Sequence, residues 1–546
     1  MAYQRSRLKS SLPRQVTLGG QRPRPPRPDD ETPGHLPPLV PPPRDEQAIR
    51  ERAATRTVAS KRRIQRRVTP LEILQQPLQA SVRKVFDLRK LLIVLGLTGL
   101  VLLLPTPEGL SDAGHRALAL FVFTGTILAL EPAPLPIAAL LVPVMQIALN
   151  IDTVNNAFAP FGTPVVFLIL GSLFLAEALR KHGLTRRLAL YAILLSRGRF
   201  EFLLLGLMLI TGGLSMFVLN TATAAVLIPV AITIAQQFPR PEDGRKALIV
   251  LMLAIGYSSS IGGIATIMGS GENAIASGLL AQNGPFGFID WMKYGLPIVL
   301  LLLPIIWLLL PRVFQLPRLT IDIAPAAQEI DRLGRLSNPE REIVVVLLLS
   351  VTLWVAGASL ETFLRLPPTL LSSAVIAVGA VALLSLEDII NWNDLRGVNW
   401  GVFFVIGAGL TLGDALIKTG ASLWFAKILA PTLEQMPYAL ALAALILLAF
   451  AITQFINNVP LGAILTPVLI TLAQATDTDP VRLVIPTIFA VALSFTLPSG
   501  SARMTLIAVT GAVEGRDMIR SGLIIGLVCA GVLLLFFMLL NTVGWV

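Results

Sequence analysis

MFVLNTATAAVLIPVAITIA (216–235) and QFINNVPLGAILTPVLITLA (454–473) decide the fold. Aligned at an offset of 238 without a gap, they agree at nine of 20 positions, among them Phe217/Phe455, Asn220/Asn458, Leu227/Leu465 and Pro229/Pro467. Shared apolar composition alone gives about two such matches. A second pair lies upstream: FLILGSLFLAEALRKHG (167–183) matches FVIGAGLTLGDALIKTG (404–420), with Gly171 opposite Gly407. A third lies downstream, where Gly269-Ser270 falls opposite Gly500-Ser501. Both halves therefore read in one order: a glycine-containing hairpin, a broken helix with a central Asn, then a Gly-Ser break. The chain is a duplication.

Charge orients the copies. Residues 176–201 hold six Lys/Arg, and the matching stretch 411–438 holds two. The positive-inside bias puts the first in the cytoplasm and the second outside, so the repeats are inverted.

The composition agrees. Of 546 residues 54% are hydrophobic and 14% charged, and mean hydropathy is +0.73. Soluble domains carry about 25% charged residues. The expected class is an all-α polytopic membrane protein. Three apolar runs (203–236, 246–282 and 437–476) are too long for one straight span of about 20 residues, and each is interrupted by polar residues or glycines. Interrupted helices persist in a bilayer only where they line a site. Residues 88–313 read as the first transporter half, 314–341 as a polar linker and 342–546 as the second half.

Residues 1–87 read as a disordered cytoplasmic tail. The first 90 residues carry a net charge of +12 and the rest −1, and residues 1–45 hold 11 prolines. Its Arg-rich segment reads either as a dock for anionic lipid or as a solvated tail that fixes topology. A basic N-terminus before the first span places it in the cytoplasm, and the body in a membrane expected to be a bacterial inner membrane. Cys529 is the only cysteine, and the three histidines have no metal-ligand spacing. No Walker A loop or GxSxG elbow is present, so neither an ATP-driven pump nor an enzyme is expected. No organic cofactor and no nucleic-acid partner are expected.

The breaks carry the chemistry. Asn220 and Thr221 read as N-caps of a half-helix starting near Ala222, and Asn457 and Asn458 repeat the arrangement. A half-helix N-terminus at mid-membrane offers free N–H groups and partial positive charge to an anion. The free carbonyls of the preceding half-helix suit a hard cation such as Na⁺.

These residues resemble the divalent-anion:sodium symporter family, solute carrier family 13, over residues 88–546. The family's two Ser-Asn-Thr motifs read here Leu219-Asn220-Thr221 and Asn457-Asn458-Val459. Its Gly-Thr/Ser-Pro-Pro-Asn motifs read Gly269-Ser270-Gly271-Glu272-Asn273 and Gly500-Ser501-Ala502-Arg503-Met504. The resemblance implies a scaffold plus a transport domain, two re-entrant hairpins, a homodimer and elevator-type alternating access. It implies di- or tricarboxylate or sulfate as substrate, contacted by Asn220, Thr221, Ser270, Asn457, Asn458, Ser501 and Arg503. It implies sodium, the coupling ion, at Ser215, Asn220 and Gly269 in one half and at Thr453, Asn458 and Gly500 in the other.

Glu272 and Arg503 stand where the family usually has proline. Three readings follow: an ion pair between them, contact of Arg503 with the substrate, or Arg503 as a fixed cation replacing the second sodium. The last favours anion exchange over symport. Rivals outside anion transport are a cation/proton antiporter of the same superfamily, an intramembrane enzyme and a non-transporting sensor.

Overall fold

The computed structural model describes residues 87–544, except the side chains of 432–434. The tail expectation lies outside these residues. Among the described residues the fold is helical, with a single isolated β-bridge between Arg199 and Thr320.

The repeat seen in sequence runs through the elements. In the first half, α1 (Leu88–Leu103) precedes α2 (Asp112–Leu130), α3 (Leu135–Ala148), α4 (Val154–Phe158), α5 (Pro164–Lys181) and α6 (Leu184–Leu195). Then come α7 (Phe200–Ser215), α8 (Asn220–Ala235), α9 (Pro241–Ile264), α10 (Gly271–Asn283) and α11 (Phe288–Val313). After α12 (Ala324–Leu333) the second half repeats the pattern. It runs α13 (Asn338–Leu364), α14 (Ser373–Leu386), α15 (Trp392–Arg396), α16 (Trp400–Lys418) and α17 (Ala421–Glu434). It ends with α18 (Tyr438–Thr453), α19 (Asn458–Ala475), α20 (Pro480–Val491), α21 (Ala502–Val509) and α22 (Gly515–Val543). The pairs α3/α14, α4/α15, α7/α18 and α8/α19 all begin 238 residues apart.

Among the described residues seven helices are long and apolar enough to cross a membrane, and α4 with α5, bent by 43°, makes an eighth if counted as one span. Outward leucines such as Leu100 on α1, Leu348 on α13 and Leu535 on α22 are more than half exposed. Faces this apolar fit lipid rather than water. The chain is an integral membrane protein.

The structure reassigns the interrupted elements. A helix of 16 residues is about 24 Å long, so α7 and α8 in line would hold their outer ends about 50 Å apart. Instead Phe200, opening α7, lies 6.1 Å from Phe238, just beyond α8. The two helices fold back as a re-entrant hairpin with its tip at Met216–Leu219. In the second half, Tyr438 at the start of α18 donates its hydroxyl to the Arg482 carbonyl at 3.2 Å, closing α18–α19 the same way. The Asn-bearing segments are thus the hairpins. The broken helices are the next elements, α9/α10 and α20/α21, parted at residues 265–270 and 492–501. The upstream element read as a hairpin is the helix α5 in one half and α16 in the other.

The polar linker is held by a buried ion pair. Arg187 Nε donates to Glu340 Oε1 at 2.9 Å and Arg187 Nη1 to the Gly334 carbonyl at 2.8 Å. Glu340 also accepts the Ser337 backbone N–H at 2.8 Å in a capping box that starts α13. Both side chains are under a tenth exposed. Removing one partner strands the other charge, at a cost of about 3–5 kcal/mol. R187M is expected to lower the unfolding midpoint of the detergent-solubilised protein sharply, whereas R186M, at the exposed pair with Glu329, shifts it little.

Candidate functional site

The N-termini of α8, α10, α19 and α21 converge on one cavity of about 550 Å³. Their first residues line it: 220–223, 269–272, 457–460 and 501–503. It extends to Glu177, Arg180 and Gly397 at one end. Three of the four termini carry no side-chain cap. Their N–H groups are left for a ligand. Four positive helix ends meeting at one apolar-walled space make an anion cradle.

The half-helices start earlier than the capping reading expects. α8 begins at Asn220 itself, with Leu219 in the cap position. The Asn220 side chain turns inward instead. Its amide nitrogen faces the Ser259 carbonyl at 2.7 Å, the Gly269 carbonyl at 3.2 Å and Ser215 Oγ at 2.6 Å. A Cβ on Gly263 would overlap this amide, so only glycine fits there. In the second half Asn457 does cap, accepting from the Val459 N–H at 3.4 Å. Asn458 accepts at Oδ1 from Thr453 Oγ1 at 3.0 Å and donates from Nδ2 to Glu272 Oε1 at 3.2 Å. Ser215 and Thr453 thus stand behind matched asparagines.

Asn220, Thr221, Ser270, Asn457, Asn458, Ser501 and Arg503 all line the cavity, as does Gly269. Ser215, Thr453 and Gly500 lie behind that wall; a Cβ on Gly500 would stand 2.7 Å from the Thr453 carbonyl. Ser270 Oγ and Ser501 Oγ are buried without a protein partner.

Glu272 and Arg503 make no ion pair within 4 Å. Glu272 reaches across to Asn458. Arg503 turns to its own break, donating from Nη2 to the Ala492 carbonyl at 3.2 Å, the Ser494 carbonyl at 3.4 Å and Ser494 Oγ at 2.9 Å. Its Nε is buried and unpartnered. The cross-axis pairing reading therefore fails: each side chain finds a nearer polar group than the other.

Two residues, Asn273 of the first Gly-Ser motif and Gln454, which was not singled out in the sequence, hold the breaks open. Asn273 Nδ2 donates to the Gly263 and Thr266 carbonyls at 2.8 and 2.9 Å. Gln454 Oε1 accepts the backbone N–H groups of Phe495 and Thr496 at 3.1 and 3.0 Å, while its Nε2 donates to the Leu493 carbonyl at 3.1 Å. Gln454 follows Thr453 directly, and a lone glutamine at the end of an apolar run was its only signal. Q454L strands three backbone groups, each costing about 1–3 kcal/mol. It is expected to lower the unfolding midpoint and abolish uptake together, read by thermal unfolding and transport on one preparation.

At the cavity's end Glu177 pairs with Arg180. Nearby, Lys181 Nζ donates to Asp394 Oδ2 at 2.7 Å and holds that carboxyl below the usual carboxylate range.

Comparison with known proteins now adds to the geometry. The model of the sodium:sulfate symporter transmembrane region matches residues 86–546. The chain belongs to this family. It is a membrane transporter of the divalent-anion:sodium symporter type and not an enzyme. An uncharacterized transporter of Haemophilus influenzae is 32% identical over 430 residues, covering 77% of this chain and 90% of that protein. The sodium-dependent dicarboxylate transporter SdcS of Staphylococcus saprophyticus is 28% identical, over 80% of this chain and 88% of its own. The solved structure of Neisseria gonorrhoeae MtrF, described within a class of antimetabolite efflux pumps, aligns with a TM-score of 0.52 at 14% identity. It covers 81% of this chain and 96% of that one, a likeness of fold alone.

Proposed function

We propose that this family member is a secondary active transporter of a small divalent anion, a dicarboxylate or sulfate, driven by sodium. The convergence of four helix N-termini on one cavity carries the reading. Asn220, Thr221, Ser270, Asn457, Asn458 and Ser501 bind the anion from these termini. Sodium takes the oxygens of the first-half break, where Ser215 and the Gly269 carbonyl flank Asn220. Thr453, Asn458 and Gly500 form the related second-half seat. The protein sits in an inner membrane with its N-terminus in the cytoplasm, as a homodimer in contact with lipid. Halves 88–313 and 342–546 form an inverted pair around linker 314–341. The hairpins and broken helices move as one elevator against the other helices. The cavity's Arg180 end lies on the side that the charge bias puts in the cytoplasm, so this conformation is inward-open.

The test is uptake of labelled succinate and sulfate by purified protein in liposomes, with and without an inward sodium gradient. Sodium-driven accumulation of either supports the reading. Sodium-driven flux without any anion dependence would instead establish the antiporter.

One observation favours a second reading. The Arg503 guanidinium occupies the Ala492 and Ser494 carbonyls that a cation would otherwise take. A fixed charge there replaces one sodium and shifts the balance towards anion exchange. Uptake that ignores sodium but requires anion inside would mark that outcome.

A further inference from the structure

The anion cradle is polar on one side only. Its donors come from the starts of α8, α10, α19 and α21, where Ser270 Oγ and Ser501 Oγ are buried without a protein partner. The same space is bordered by Leu128 of α2, Leu135 of α3, Leu173 and Ala176 of α5, and Val402 and Val405 of α16. Polar side chains beside this apolar wall are already engaged: Glu177 and Arg180 pair with each other, and Asn399 accepts the Gly401 N–H at 3.1 Å. Glu272 and Arg503 border the cavity with opposite charges, which offset each other, so the helix ends set its sign.

The space continues past the cradle. A recess of about 320 Å³ shares Leu128, Asn457, Ser501 and Ala502 with it. The recess adds Ala129, in the last turn of α2, with Phe455 and Ile456 at the tip of the second hairpin. Thr505 Oγ1 there is engaged by the Pro498 carbonyl at 2.6 Å. Glu131 is the one charged residue of this lining, and it has the wrong sign to hold an anion. Phe455 is 71% exposed. Its matched residue Phe217 is not free in this way: it stacks on Trp354 with ring centroids 6.3 Å apart. The second hairpin thus presents an aromatic ring beside the anion seat, where the first holds its ring in packing.

We propose that the cargo is a dicarboxylate bearing an apolar substituent, with its carboxylates on the four helix N-termini and its substituent in the recess against Phe455. The inference rests on the anion-transport reading above and narrows its substrate to one chemical class. A sulfate ion carries oxygens on every side, and those turned to the apolar wall would find no donor. A substituted dicarboxylate turns its charge one way and its apolar surface the other. The cradle, at about 550 Å³, lies within the range of about 300–1,000 Å³ typical of sites for drug-sized molecules. Burying most of a phenyl ring is enough for about a tenfold gain in affinity.

The test compares labelled succinate with labelled 2-phenylsuccinate. It uses the full chain in liposomes preloaded with unlabelled succinate, under an inward sodium gradient. Phenylsuccinate is expected to be carried with a half-saturating concentration about tenfold below that of succinate. F455A removes the ring and A129F fills the recess. Each is expected to bring the ratio of the two half-saturating concentrations close to one. The ratio is taken on one preparation, so a general loss of transport cancels. A wild-type ratio near one, or a preference kept in either variant, overturns the proposal. So does phenylsuccinate that blocks succinate uptake without being carried, since the recess would then seat an inhibitor and not the cargo. Binding to the detergent-solubilised protein is read alongside, as the rise in unfolding midpoint. If neither anion is carried, the transport reading fails and binding decides. Phenylsuccinate must then raise the midpoint more than succinate at equal concentration, and F455A must remove the difference. Equal stabilisation by both, or by neither, overturns the seat.

Discussion

N220A is expected to cut sodium-driven uptake by about thirtyfold while the protein stays folded. The Asn220 nitrogen spans three oxygens: the Ser259 carbonyl on α9, the Gly269 carbonyl at the break and Ser215 Oγ on the hairpin's first arm. One amide thereby locks the hairpin tip to the broken helix. The amide's two N–H groups, shared among these oxygens, contribute about 1 kcal/mol net each, and with every 1.4 kcal/mol a factor of ten their loss is about thirtyfold. The loss falls on transport, since without the amide the hairpin tip is no longer tied to the break that faces the cavity. N220D separates hydrogen bonding from shape. It keeps the volume but has no N–H, and it turns a carboxylate towards two carbonyls. It is expected to be as inactive as N220A. Uptake within about threefold of wild type in either variant, with normal gel filtration and unfolding midpoint, would sink the locking role.

The repeat register was legible where residues match, over 216–235 and 454–473; α3/α14 and α4/α15 keep the same 238-residue spacing without an obvious match of residues and show only in the structure. Which interruption was a hairpin and which a break was not legible. Both appear as an apolar run with polar residues near the middle. The difference is whether the chain reverses, and that shows only in a contact such as Phe200 with Phe238. The asparagines were legible as residues that line the cavity but not in their bonding. Local capping and tertiary bonding use the same side chain, and Asn220 serves the second because Gly263 lets it approach. Matched positions also suggested that Glu272 and Arg503 face each other. Related positions share a fold but not a side-chain direction. Arg503 is long enough to curl back to the bare carbonyls of its own break, whereas Glu272 is opposed by Asn458.

R503M is expected to steepen the dependence of uptake on sodium by about one ion and to lower the maximal rate. In the wild type the guanidinium covers the Ala492 and Ser494 carbonyls and Ser494 Oγ. Methionine fills the space without a donor. The oxygens are then buried and unpaired, each at a cost of about 1–3 kcal/mol, and a sodium ion from the cavity is the nearest group able to satisfy them. A mobile ion contributes about 2.3 kcal/mol per 100 mV, while a fixed guanidinium that crosses and returns contributes none net. With the same clamped potential, inside negative, R503M should therefore accumulate about 50-fold more anion per 100 mV at equilibrium than the wild type. R503K keeps a charge at the break and is expected to retain the wild-type slope. The readout is uptake against sodium concentration at several fixed potentials. An unchanged slope in R503M combined with a weakened apparent affinity for the anion would place the guanidinium on the substrate, through its unpartnered Nε, and remove it from the cation's place.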